Sequence, residues 1–113
     1  MKPISAEKRK VINIDIGKFD PLLDDDGRVD GEVLQINPNY QLGCGFHIYR
    51  MPPGHTTTRH VHEGDEDFLI LQGEIVDHDG FRYKQGDLVW LEAGTEHHSY
   101  TEHGALIAVF FRC

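Results

Sequence analysis

Long hydrophobic runs are absent from this sequence: the longest, Ala105 to Phe111, has only seven residues. A transmembrane helix needs about 20 consecutive apolar residues. The first sixteen residues include lysines and an arginine, but no apolar stretch of the kind that forms the centre of a signal peptide. We therefore expect a cytoplasmic protein with no membrane partner.

Positive charge is scarce as well. Lysine and arginine together number 11 against 19 acidic residues, which gives a formal net charge of −8. That charge repels nucleic-acid phosphates and anionic lipid head groups, so we expect neither as a partner. With 113 residues and 39% hydrophobic content, the chain predicts a single globular domain spanning residues 1–113, with 1–10 as a flexible or packing extension.

Cysteine occurs only twice, at Cys44 and Cys113. The two residues have no spacing typical of a metal or redox site. A disulfide between them is one possibility, but disulfides are unusual in a reducing cytosol. The sequence therefore favours two free thiols.

Convincing helical patterns are lacking too, whereas turn residues recur every eight to twelve positions between short apolar or alternating segments. Such spacing is typical of an antiparallel sandwich or barrel, and predicts an all-β fold of nine or ten strands. The acidic segment 21–31 lacks the glutamate of a calcium loop and is interpreted as a solvated loop. The main predicted strands are Val11–Ile16, Glu32–Ile36, Phe46–Met51, Asp67–Leu71, Glu74–Val76, Asp87–Leu91, His97–Tyr100 and Ala105–Phe111.

Two of these predicted strands, 68–71 and 105–111, are apolar at every position. Such strands are buried on both faces. Because the interior of a barrel covers only one face, the outer face needs a partner, and a second copy of the chain is the simplest one. The sequence therefore predicts a homodimer.

The segment 54–73 carries the residues with metal-binding chemistry. His60 and His62 are two positions apart, so on a β-strand their imidazoles point to the same face, and Glu66 follows after a short turn. Two imidazole nitrogens and a carboxylate oxygen suit a divalent transition metal. His97 is the candidate for a fourth ligand, and the adjacent His98 is its rival because only their facing differs.

The alternation of side chains along a β-strand also sets an expectation for the strand that carries the fourth ligand. If His97 points inward, then Ser99 and Thr101 point inward too, and His98 points outward. Four ligands leave one or two coordination positions open for a small-molecule ligand. Catalytic and substrate-binding residues stay unassigned. The remaining histidines are interpreted as ordinary polar residues: His47, His55, His78, His98 and His103.

The character of the ligand pocket is expected to come from apolar side chains near these strands. Phe46, Ile48, Phe68 and Trp90 would favour a small, partly apolar ligand. Arg50 and Arg59 could bind an anionic group, but the sequence favours exposed residues at strand ends.

The spacing G-x5-H-x-H-x3-E-x6-G resembles the first motif of the cupin superfamily. It matches at Gly54, His60, His62, Glu66 and Gly73. Every position of this specific motif is present, which makes it the principal support for the resemblance.

The second cupin motif, G-x5-P-x-G-x2-H-x3-N, is matched in part. Gly86, Gly94 and His97 agree with it, whereas Glu92 stands in place of proline and Thr101 in place of asparagine. Neither departure falls on a metal ligand, but both affect the turn that presents His97.

The resemblance implies a double-stranded β-helix, or jelly-roll barrel, with metal motifs at 54–73 and 86–101. It also implies dimers and one divalent transition metal per chain, drawn from iron, zinc, nickel or manganese. The run from Glu66 to Ser99 is most similar to the ChrR-type cupins. These include the zinc-binding C-terminal domain of an anti-sigma factor and dioxygenases that act on acetylacetone-like or hydroxyacetophenone-like ketones. No second helical zinc domain is expected here, only the cupin module.

Three functions remain open at this point. The first is a metal-dependent dioxygenase acting on a small diketone or hydroxyketone. The second is a zinc-binding, ChrR-like sensing or regulatory module without catalysis. The third is a metal-assisted isomerase or lyase in which a residue such as Glu66 moves a proton. One fold hosts many chemistries, so the fold alone does not choose among them.

Overall fold

The computed structural model describes all 113 residues, which form ten short β-strands and one 3-10 helix of three residues, Ala6–Lys8. The strands are β1 (Asp20–Leu23), β2 (Val29–Leu34), β3 (Gly45–Met51), β4 (His60–Val61), β5 (Glu66–Asp77), β6 (Arg82–Lys84), β7 (Leu88–Leu91), β8 (Glu96–His97), β9 (Ser99–Tyr100) and β10 (Ala105–Phe111). The all-β fold class predicted from the sequence is confirmed. No helix has the length and apolar character needed to cross a membrane.

Strand β5 organises the sheet. The main strand order is β1-β2-β3-β10-β5-β6, and both β7 and β9 also pair with β5, while β4 and β8 form a separate two-stranded ladder. All of these pairings are antiparallel. The sheet therefore curls around a common interior, and β5 borders that interior along twelve residues.

Gly73 allows β5 to serve two parts of this curled sheet. Its φ of +82° lies in the left-handed region, and a Cβ added there would collide with the carbonyl of Gly104. Only glycine adopts this conformation readily and fits the contact. Before Gly73 the strand pairs with β10 and β7, and after it with β6 and β9. The two segments predicted on either side of Gly73 are thus one bent strand.

The core lies on the concave side of β3, β10 and β5. Alternate residues of β10 are buried there, and cross-strand register places Val109 between His47 of β3 and Phe68 of β5. The core cluster consists of Met51, Phe68, Ile70, Ile75, Tyr83, Ala105, Ile107 and Val109. The intervening residues of β10 are only partly buried, so the chain alone does not cover the second face of this apolar strand.

The predicted strand Val11–Ile16 is wrong. Residues 14–16 form a turn, and the whole segment 11–16 is exposed. Alternation of apolar and polar residues indicates only a local preference for an extended backbone, and no neighbouring strand pairs with these residues. Conversely, residues 21–23, assigned to a solvated loop, belong to β1 and pair with β2 despite Pro21. The turn prediction holds for 24–28, which connects these two strands.

The prediction of two free thiols is also wrong in this structure, because Cys44 and Cys113 form a disulfide. Their Cα atoms are 5.8 Å apart although 69 positions separate them in sequence. The reason is the register between β3 and β10, which pairs Gly45 with Phe111. Cys44 directly precedes Gly45 and Cys113 follows Phe111 by two residues, so this pairing brings the two cysteines together. Sequence spacing gives no sign of this proximity.

Candidate metal centre

The short ladder of β4 and β8 brings the first and last candidate histidines together. His60 and His97 are direct Cα partners across it. His62, just beyond β4, is held by two backbone bonds: its N–H donates to the Thr95 carbonyl at 3.0 Å, and the Gly94 N–H donates to its carbonyl at 2.7 Å. The turn before His97 is therefore fixed to the strand that carries the other two histidines.

The three imidazoles converge through their Nε2 atoms. The Nε2 atom of His62 lies 2.9 Å from that of His60 and 3.0 Å from that of His97. Two nitrogens bound at about 2.1 Å and at a right angle around one ion would also lie about 3.0 Å apart. The spacing of His60, His62 and His97 thus fits three ligands of a single metal ion.

The hydrogen bonds of the Nδ1 atoms leave the convergent nitrogens free to bind. His60 Nδ1 donates to the Thr58 carbonyl at 2.7 Å, because a carbonyl can only accept. His97 Nδ1 likewise lies 3.2 Å from the Asp77 carboxylate. When these two rings are neutral, the lone pair of each is therefore on Nε2, directed at His62. Burial, assisted by the neighbouring His97 and His60, lowers the pKa of the fully buried His62 to about 4, which also favours a neutral ligand.

Glu66 completes the predicted set at the start of β5. Its Oε1 atom lies 3.5 Å from Nε2 of His62 and 3.8 Å from Nε2 of His97. Burial raises the pKa of Glu66 to about 7 in the protein without a bound cation. A buried carboxylate beside neutral imidazoles is more stable when a cation is bound, since the ion offsets its lost hydration. The structure thus places all four predicted residues around one point.

Asp77 is a site residue that sequence analysis missed. It lies at the end of β5, is buried, and accepts hydrogen bonds from His97, Ser99 and the Tyr83 hydroxyl, the last at 2.7 Å. Although burial acts to raise the pKa of Asp77, these three bonds hold it below its ordinary value. Asp77 in turn raises the pKa of His97 against the effect of burial. The alternation of Ile75 and Asp77 on the inner face was the available signal.

The structure also separates His97 from His98. His97, Ser99 and Thr101 are buried, whereas Tyr100 is exposed and His98 faces outward toward His78, with ring centroids 5.5 Å apart. The alternation predicted for this strand is confirmed. His98 is not among the convergent residues.

The two departures from the second motif are accommodated locally. The Thr101 hydroxyl donates to the Glu74 carbonyl at 2.8 Å and accepts from the Gly104 N–H at 3.1 Å. The Glu92 carbonyl accepts from the Thr95 N–H at 3.1 Å, which closes the turn without proline. Both turns that support His97 are therefore formed.

A cavity of about 290 Å³ adjoins His60, His97 and Glu66 of the candidate centre. Its apolar wall consists of Leu22, Met51, Phe68, Ile75, Ile107, Val109 and Phe111, and His60, His97, Glu66, His47 and Tyr49 also line it. Of the four apolar residues predicted for the pocket, only Phe68 is present.

Phe46, Ile48 and Trp90 do not line the cavity, which corrects the prediction. Phe46 and Trp90 are 61% and 57% exposed on the outer face of the sheet. The facing of β3 is the reason: Gly45, His47 and Met51 are buried, so Phe46 and Ile48 point to the other side. His47, interpreted from the sequence as an ordinary polar residue, is instead buried and lines the cavity.

The two arginines behave differently from each other. Arg50 is exposed, pairs with Glu32 at 3.3 Å and lies over the ring of Phe19. Arg59 reaches the rim of the cavity but pairs there with Glu96. Each guanidinium is therefore paired with a carboxylate of the protein.

Comparison with protein families identifies the chain. A family model described as ChrR Cupin-like domain matches residues 24–112. This protein is a ChrR-like cupin. The match includes all four candidate ligands and both cupin motifs, and the strands of the cupin begin at β2 and continue to β10 within it.

Solved structures support the cupin fold. A chain from the crystal structure of Rhodobacter sphaeroides SigE in complex with the anti-sigma ChrR is 26% identical over 57% of this cupin, with a TM-score of 0.52. A predicted oxalate decarboxylase from Thermotoga maritima is 24% identical over 90% of this chain and 99% of its own, with a TM-score of 0.63. An acetylacetone dioxygenase from Acinetobacter johnsonii is 15% identical over 99% of this chain and 78% of its own, with a TM-score of 0.68.

These likenesses have limits. The cupin spans only 35% of the matched chain from the SigE–ChrR complex. The other two matches, both below 25% identity, show the double-stranded β-helix fold and not a shared reaction. No curated protein sequence matches the chain significantly.

Proposed function

We propose that this cupin binds one divalent transition metal through His60, His62, Glu66 and His97, and a small molecule in the adjoining cavity. The observation that carries the proposal is the convergence of three imidazole Nε2 atoms, two pairs of them about 3 Å apart, beside a buried carboxylate. Without a cation this arrangement leaves at least one Nε2 lone pair without a donor and buries the Glu66 carboxylate, both of which are unfavourable. A metal ion removes both costs.

The residues around this centre would have separate tasks. A bound metal would supply a Lewis acid and a meeting point for small reactants. His60 and His97 present Nε2 because Thr58 and Asp77 bond their Nδ1 atoms. The apolar wall of the cavity excludes water from a bound molecule, which strengthens polar contacts inside it.

The preferred activity is that of a metal-dependent dioxygenase acting on a small diketone or hydroxyketone. Its support is the size and character of the cavity, since about 290 Å³ with an apolar wall suits a compact ketone better than a sugar. Three imidazoles with open positions also suit iron oxygen chemistry. The resemblance in fold to an acetylacetone dioxygenase agrees with this proposal.

A non-catalytic, zinc-binding regulatory module is the second candidate. The family match and the likeness to a chain of the SigE–ChrR complex favour it. In that case the partner would be a regulatory protein such as a sigma factor, and a ligand in the cavity would alter the contact. A metal-assisted isomerase or lyase, with Glu66 moving a proton, is the third.

Metal analysis together with oxygen uptake tests these candidates. The protein would be purified without a histidine tag from cells supplied equally with iron and zinc, and its metals measured. Iron near one per chain, with oxygen consumed on addition of pentane-2,4-dione, would support the dioxygenase. Zinc near one per chain without oxygen uptake would favour the regulatory module. A protein that retains neither iron nor zinc would overturn the proposal.

We also propose that residues 1–113 act as one domain and that the protein is a cytoplasmic homodimer. The outer face of the sheet supports the dimer, because register aligns Phe46 with Phe110 and Leu88 with Leu69 in an apolar patch. Leu88 in this patch is 79% exposed. In a reducing cytosol the Cys44–Cys113 disulfide would be reduced to two thiols, so trapping of thiols in intact cells tests the location.

A further inference from the structure

We propose that His47 is the hydrogen-bond acceptor that selects the ligand of the cavity, and that this ligand is a compact neutral molecule with an O–H or N–H donor. The inference rests on the proposed function, because it concerns the same cavity. It adds a specificity-determining residue outside the four candidate metal ligands.

The position of His47 places it within the wall of the cavity. It lies on β3, opposite Val109 of β10, which is itself opposite Phe68 of β5. All three line the cavity, and two strand spacings of about 5 Å each separate the His47 backbone from that of Phe68. Only 5% of His47 is exposed, so it is a polar residue within an otherwise apolar row.

Hydrogen bonding determines which nitrogen of His47 is available. Its Nδ1 atom lies 3.0 Å from the Gly45 carbonyl, so Nδ1 carries the hydrogen and donates it. Burial lowers the pKa of His47, which keeps the ring neutral near pH 7. The Nε2 atom is therefore an acceptor with a lone pair, and the structure gives it no protein donor. An acceptor of this kind in the wall of a cavity is stabilised by a donor from a bound molecule.

The charges around the cavity restrict the ligand further. The carboxylates of Asp24, Asp25, Asp30 and Glu66 line it, and the single cation, Arg59, is already paired with Glu96. This balance disfavours an anion. The Tyr49 hydroxyl does not donate to the ligand, because it already donates to the Asp30 carbonyl at 2.9 Å. His47 is thus a neutral acceptor beside the apolar wall of the cavity, where it would distinguish a hydroxyl or enol from an apolar molecule of equal size.

Binding of phenol and fluorobenzene tests this assignment, because the two probes have nearly the same shape and only phenol has a donor. Their affinities for the full-length protein as purified would be measured by NMR titration. We expect phenol to bind at least about fivefold more tightly. His47→Phe should abolish this preference by weakening phenol binding alone, and His47→Gln, which keeps an acceptor, should retain part of it. His98→Phe makes the same change on the outer face and should leave the preference intact.

The assignment is overturned if the wild-type protein binds both probes equally or binds neither, or if His47→Phe keeps the preference. Amide spectra would establish whether each variant folds. If His47→Phe does not fold, His47→Asn replaces it, because its shorter amide does not reach the Nε2 position. An unchanged preference for phenol in His47→Asn then overturns the assignment. Metal content measured in the same samples separates the two proposals. A protein without metal that still prefers phenol contradicts the metal centre and not His47, and a metal-loaded protein without the preference contradicts His47 alone.

Discussion

The Asp77 carboxylate lies 3.2 Å from Nδ1 of His97, and this contact orients the only histidine ligand candidate that lies outside the first motif. Ser99 and Tyr83 also donate to Asp77, so the carboxylate is itself held in place. Partners of this kind fix the tautomer and direction of a ligating imidazole. Asp77 is therefore a positioning residue of the candidate centre.

Asp77→Asn should weaken metal binding about 10- to 100-fold without removing a ligand. The substitution keeps the shape of the side chain but loses the charge that favours Nδ1–H on His97. Competition with a zinc-sensitive dye would measure the affinity. Asp67→Asn, on the exposed outer face of the same strand, is the matched control and should bind metal normally. Equal affinities in the two variants would contradict the role of Asp77.

His97→Ala should remove the metal, whereas His98→Ala should retain it. The two residues are adjacent, but only Nε2 of His97 lies within 3.0 Å of Nε2 of His62. Loss of one of four ligands should lower the affinity for the metal by more than about 100-fold. This is a larger loss than is expected when only a hydrogen-bond partner of a ligand is changed. Elemental analysis of both purified variants would measure this. Metal kept by His97→Ala and lost by His98→Ala would contradict the ligand assignment.

Leu88→Glu should convert the proposed homodimer to a monomer. Leu88 is 79% exposed in the outer apolar patch, and a glutamate buried there in a dimer interface without a partner is unfavourable. Light scattering after gel filtration would give the mass. Val29→Glu, at an apolar position on β2 that is 60% exposed and lies away from the patch, should leave the dimer intact. A monomeric wild-type protein would contradict the proposal directly.

Reduction of the Cys44–Cys113 disulfide should lower the free energy of unfolding by about 2–4 kcal/mol, because it removes a cross-link across 69 positions. Urea unfolding with and without a phosphine reductant would measure the change. The Cys113→Ser variant should behave as the reduced protein does and should not respond to reductant. Two reactive thiols in the untreated protein would show that the bond does not form.

Asp24→Ala should lower the melting temperature at pH 7 by a few degrees, and this effect should disappear in acid. The backbone N–H of Arg28 and the Thr58 hydroxyl donate to the carboxylate and lower the pKa of Asp24. A lowered folded-state pKa stabilises the fold above the ordinary value near 3.8, and that stability is lost as pH falls through the folded pKa. Scanning calorimetry at pH 7 and below pH 4 would compare Asp24→Ala with Asp25→Ala, whose carboxylate accepts no hydrogen bond. A pH-independent difference would contradict this account.

Part of the candidate centre follows from local bond geometry alone. The two-residue step from His60 to His62 fixes a common face, and the turn before Glu66 returns the chain to the same point. Alternation also predicted that His97 faces inward and His98 outward. These features depend only on bond geometry and on neighbours within a few residues, which is why the sequence shows them.

Tertiary structure decided the rest. The contacts of Asp77 with His97, the place of His47 in the cavity wall, and the disulfide all depend on the register between strands that are distant in sequence. Phe46 and Trp90 were misassigned for the same reason, since an apolar strand pattern does not state which face is inside. A shift of one residue exchanges the two faces, and only the pairing of β3, β10 and β5 fixes it.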